Sequence, residues 1–137
     1  MTIDKLVFNN DSENFEANTF LGDKSYTLVL CDFTQDEERN ATVLANEISN
    51  WMDTNINPTK QYAATELLQL KNESWLEEDE VPLTESEFIE NINIESILAF
   101  SNKSFKIFFT DNDIFWGHAI AVAIDRDLNF NGVNIAG

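Results

Sequence analysis

A chain of 137 residues with 43% hydrophobic content and eleven phenylalanines has one domain's length and enough apolar mass for a core without staples. Its 25 acidic and 8 basic residues give a formal net charge of −17, a field that repels nucleic-acid backbones and anionic membrane surfaces and favours encounter with a basic protein partner. The single cysteine, Cys31, excludes an internal disulfide, and no run approaches the roughly 20 apolar residues of a membrane span.

The first elements are strands. Asn14-Phe15-Glu16-Ala17-Asn18 alternates, and Leu21-Gly22-Asp23-Lys24 reads as the turn after it. Residues 26–33 place Tyr26, Leu28 and Leu30 on one face and Val29, Cys31 and Phe33 on the other, which predicts a strand covered on both sides. Thr34-Gln35-Asp36-Glu37 has the capping-box pattern, and Ala41, Leu44, Ala45, Ile48, Trp51 and Met52 then recur at helical spacing. Residues 55–58, ending in Pro58, predict a break. A second main helix follows over about 59–70, with Tyr62, Ala63, Leu67 and Leu70 on one side.

Residues 73–80 read as an acidic linker carrying Trp75 and Leu76, and Thr84-Glu85-Ser86-Glu87 repeats the capping box before a short helix with Phe88, Ile89 and Ile92. From there the period becomes two. Strands are predicted over 95–100, over 105–110, from His118 to Ile124, and over 128–135, with turns at 101–104 and 125–127. One face of the third of these is all alanine, Ala119, Ala121 and Ala123, which suits close approach of a helix or another backbone. Short connections demand antiparallel neighbours. The expected architecture is a single α+β domain over residues 1–137, with N-terminal strands plus a C-terminal four-stranded meander in an antiparallel sheet, packed by two main helices and one short one. The N-terminal residues lack the pattern of a signal peptide, so a cytoplasmic location is expected.

Residues 111–118, Asp-Asn-Asp-Ile-Phe-Trp-Gly-His, gather the only histidine, one of three tryptophans, one of four glycines and two carboxylates. As a hairpin connection, Asp111 and Asn112 would satisfy turn backbone groups and Gly117 would allow a positive φ. As a site, Asp111, Asp113 and His118 offer oxygen and imidazole ligands for a metal, or a general base near neutral pH. One histidine is too few for most zinc sites, so no metal is assigned, and no P-loop, nucleophile elbow or dinucleotide fingerprint points to a cofactor. Cys31 with His118 would be the elements of a thiol–imidazole pair, yet nothing in the sequence places them together. Residues 125–136 miss the glycine and glutamate of a calcium loop, with Phe130 and Ala136 in those places.

The acidic run Glu77-Glu78-Asp79-Glu80 beside Trp75 is either a solvated loop or a docking patch, in which carboxylates steer a basic partner and Trp75 anchors it. Trp116 is a further aromatic candidate for that surface. The segment from Phe109 to His118, followed by the alternating strand to Ile124, resembles an uncharacterised bacterial family, domain of unknown function 2262. The resemblance implies a bacterial, intracellular, small α+β domain and transfers no catalytic residue. The expected function is a non-enzymatic binding protein, in character similar to immunity proteins that neutralise toxins. The alternative is an enzyme or metal-binding domain at Asp111, Asp113 and His118, and the oligomeric state stays open.

Overall fold

A computed structural model describes residue 3 and residues 5–136. Seven strands lie in one sheet in chain order: β1 (Val7–Asn9), β2 (Asn14–Leu21), β3 (Lys24–Cys31), β4 (Asn93–Phe100), β5 (Phe105–Thr110), β6 (Ala119–Ile124) and β7 (Phe130–Ala136). β4 to β7 form the predicted antiparallel meander. β3 and β4 instead run parallel, Thr27 beside Ser96 through Cys31 beside Phe100, which corrects the all-antiparallel sheet. The physical reason is the connection between them. It holds a short 3-10 turn, a long helix α1 (Glu38–Ser74) and a short helix α2 (Glu85–Asn91), the kind of crossover that a parallel return needs.

The predicted break at residues 55–58 does not occur, and the two expected main helices are one helix of 37 residues with Pro58 inside it. Proline removes a backbone donor and crowds the preceding turn. Here neighbouring side chains supply donors to carbonyls around it: Thr59 Oγ1 donates to the Asn55 carbonyl at 2.7 Å, and Asn55 Nδ2 to that of Trp51 at 2.8 Å. Burial continues through the proline, from Ala41, Leu44, Ile48 and Met52 to Thr59, Ala63, Leu67 and Lys71, so one apolar stripe holds the whole helix to the sheet. Both predicted capping boxes form. Glu37 accepts the Thr34 backbone N–H at 2.8 Å, and Thr84 and Glu87 satisfy each other's backbone at 3.0 and 3.2 Å.

The core lies between α1 and one face of the sheet, where Leu28, Leu30, Ile97, Ile107, Phe109, Ile120 and Val122 are inaccessible to solvent. An aromatic seam locks α1 to β5 and β7: Tyr62 stacks on Phe130 at 4.7 Å, Trp51 meets Phe105 edge-on at 5.4 Å, and the Gly132 N–H donates to Tyr62 Oη at 2.8 Å. The other face carries the alternate residues, among them Val29, Leu98 and Phe108, and no described helix covers it. Residues 26–33 are therefore not buried on both sides, and their strand ends at Cys31, because Asp32 turns the backbone at φ 66°. β1 has no alternating signature and owes its existence to the Asn9 side chain, which accepts the Asp11 and Ser12 N–H groups and folds three residues back on β2. Asp125 does the same for the Asp127 and Asn129 N–H groups, so β7 starts at Phe130 rather than at residue 128.

Candidate functional site

The β5–β6 connection is built by its first residue. The Asp111 carboxylate is buried, with 5% exposure, and accepts the backbone N–H groups of Asp113 at 3.1 Å, Phe115 at 2.9 Å and Gly117 at 3.0 Å. Three charge-assisted bonds hold a backbone that takes positive φ at Asn112, Asp113, Trp116 and Gly117. Glycine is the one residue here for which such a φ carries no Cβ penalty. Ile114 and Phe115 point into the core, and Trp116 is left 53% exposed.

His118 closes the loop. Its Nδ1 lies 2.7 Å from the Phe115 carbonyl oxygen, and its ring meets the edge of Trp75 at 5.4 Å. A carbonyl only accepts, so in the neutral ring Nδ1 carries the proton and Nε2 holds the lone pair. Trp75, at the C-terminal cap of α1, is the hub of this corner, touching Phe115 at 5.4 Å and Trp116 at 4.7 Å between ring centroids.

The acidic run is fastened to the same corner from α1. Lys71 is fully buried; its ammonium donates to the Trp75 carbonyl at 2.7 Å and to Glu80 Oε1 at 2.9 Å. Glu80 also accepts the Glu77 N–H at 3.0 Å, and that backbone bond, with the Lys71 contacts, holds its carboxyl below the ordinary value. The next residue, Asn72, takes both backbone groups of Leu83 with its side chain, at 2.8 and 3.0 Å. On the facing side Asn112 donates to Asn91 at 2.7 Å, tying the β5–β6 loop to the end of α2.

Between these fastenings lies an open groove of about 460 Å³, lined by Glu77, Asp79, Glu80, Leu83, Asn91, Asn112, Asp113 and Ile114. The two groups of residues singled out in the sequence, 77–80 and 111–118, thus meet at one site. Glu77, Asp79, Glu80 and Asp113 line it; Trp75 and Trp116 do not, although they sit on the two segments that bound it. Glu78 is exposed and does not line it, while Asp111 lies beneath it, committed to the loop backbone. Among the described residues no group of three or more histidine, cysteine or carboxylate side chains is arranged to hold a metal ion. Cys31 lies on the sheet face away from α1, half-buried, with burial and the nearby Asp32 raising its thiol pKa. The structure does not bring it to His118.

Lys71, Asn72 and Asn91 were not singled out in the sequence. Lys71 had a signal: it continues the buried positions Ala64 and Leu67 at helical spacing, a cation inside an apolar stripe. The two asparagines had none.

No described helix is long and apolar enough to cross a membrane. No curated protein matches the chain, and no solved structure matches it. The model of a bacterial family described as an uncharacterized protein conserved in bacteria, DUF2262, matches residues 1–135, and the chain belongs to that family.

Proposed function

We propose that this chain is a cytoplasmic, non-enzymatic binding protein that takes a basic, extended segment of another protein into the groove between residues 77–83 and 111–116. The observation that carries this reading is the convergence of Glu77, Asp79, Glu80 and Asp113 on one groove, bounded by a loop that also presents the exposed Trp116. A row of carboxylates too dispersed to chelate one ion still suits successive lysine or arginine side chains. Each exposed ion pair contributes only about 0.2–1 kcal/mol, so several must act together. An arginine laid over Trp116 adds a cation–π contact of about 0.5–1 kcal/mol. The net charge of −17 supplies long-range steering toward such a segment. An immunity-like role, with a basic toxin as the partner, is one form of this reading.

Isothermal titration with an arginine- and lysine-rich octapeptide, at low and at physiological salt, tests the proposal. The expected result is saturable binding that weakens as salt rises and that Asp79→Asn with Asp113→Asn weakens further. Binding indifferent to those two substitutions would place the peptide elsewhere and sink the assignment of the groove.

A further inference from the structure

The sheet face turned away from α1 is an apolar surface with no described cover. Val29, Leu98, Phe100, Phe108 and Ala123 lie there half-buried, with Ala121 buried among them. A contiguous apolar sheet face that no described helix packs against is a surface on which another sheet can lie. Its charge is as informative as its hydropathy. Across β2 to β5 the register places Glu16 beside Val29, Val29 beside Leu98, and Leu98 beside Lys106. In a chain with 25 acidic residues, this row has one acid at one end and one base at the other. They are three strand spacings apart, about 14 Å, too far to pair within one copy.

We propose that two copies of the chain pack through this face, sheet on sheet, about a twofold axis running along the strands between β3 and β4. Such an axis lays β3 of one copy over β4 of the other and β2 over β5. The three cross-strand pairs of β3 and β4 then become the facing pairs: Thr27 opposite Ser96, Val29 opposite Leu98, Cys31 opposite Phe100. Along β3 and β4 polar meets polar and apolar meets apolar, while at the flanks of the Thr27 row Asn18 of each copy lands opposite Phe108 of the other. In the central row Glu16 of each copy lands opposite Lys106 of the other, giving two symmetric ion pairs at the flanks of an apolar centre. Strand directions stay aligned, as in face-to-face sheet packing, and the interface is isologous and closed. One acid and one base at twofold-related positions match a second copy of the same face, where each charge meets its opposite. This surface lies on the sheet face away from α1 and the groove, and the proposal stands independently of what the groove binds.

The test is sedimentation equilibrium on the full chain and three variants, with circular dichroism confirming that each is folded. Both charged positions lie on the sheet surface, so neither change disturbs the core. The expected result is a wild-type dimer, with Glu16→Lys and Lys106→Glu each weakening it about tenfold or more by setting like charges face to face. Mixing the two single variants restores dimer as a heterodimer, since lysines at 16 and 106 then face glutamates at 106 and 16. The double variant E16K/K106E restores it as well. A wild-type chain that stays monomeric at about 0.1 mM, single variants that dimerise normally, or a mixture that fails to recover would each overturn the proposal.

Discussion

The rings of Trp75 and Trp116 meet with centroids 4.7 Å apart, tilted by 56°, so the last turn of α1 and the β5–β6 loop form one surface. The two tryptophans hold unequal parts of it. Trp75 is half-buried against Phe115 and His118, whereas Trp116 is more than half exposed. Trp75→Ala is therefore expected to cost about 3 kcal/mol of stability and to loosen the groove. Trp116→Ala is expected to stay within about 0.5 kcal/mol of wild type and still weaken peptide binding. Urea denaturation beside the titration separates the two; equal stability losses would contradict this division.

Asp111 organises the loop rather than facing the groove. Replacing it with alanine strands three backbone donors, and the expected loss is about 3 kcal/mol, since each bond to a charged acceptor is worth about 1.5–3 kcal/mol and water recovers part. Asp111→Asn keeps an acceptor and should lose about half as much. Asp113→Asn, at the groove wall, should leave thermal stability nearly unchanged while affecting binding. An Asp111→Ala variant as stable as wild type would show that the loop stands on its aromatic contacts alone.

Glu80 gives the site an acid limit. Its folded carboxyl sits below the ordinary value of 4.5, chiefly through the Glu77 N–H and then Lys71. A depressed carboxylate contributes stability that is fully present above its unfolded value and lost as pH falls through the folded one. The stability gap between wild type and Glu80→Gln should therefore be constant near neutral pH and narrow below about pH 4.5. Chemical denaturation at pH 7, 5, 4 and 3 reads the gap directly, and a gap that widens with acid would reverse the assignment.

His118 is held through Nδ1 by the Phe115 carbonyl. Long-range proton–nitrogen correlation spectra at pH 8 should find the proton on Nδ1. His118→Asn, whose amide can reach the same carbonyl, should retain most of the roughly 1 kcal/mol that His118→Ala loses. A ring protonated on Nε2 would break the predicted bond.

Where side-chain period alone decides an element, the sequence was legible. The meander of β4 to β7, both capping boxes and the apolar stripe of α1 are all written in local pattern. The continuity of α1 was not, because Pro58 is a strong local signal that Thr59, Asn55 and the buried stripe override together. The parallel pairing of β3 and β4 follows from a 61-residue crossover, residues 32–92, whose return direction no residue encodes. At the site, the sequence marked residues 77–80 and 111–118 separately. Their meeting depends on Lys71, Asn72 and Asn91, single polar contacts that carry no periodicity.

The three tryptophans provide the most direct test of the groove. Trp75 and Trp116 sit on the two segments that bound it, while Trp51 is packed against Phe105 and Phe130 along the α1 seam. Indole N–H resonances followed during addition of the arginine- and lysine-rich octapeptide should move for Trp75 and Trp116 and stay fixed for Trp51. Saturable binding that leaves the Trp75 and Trp116 resonances in place, or that moves Trp51 as much as either, would contradict the proposed site.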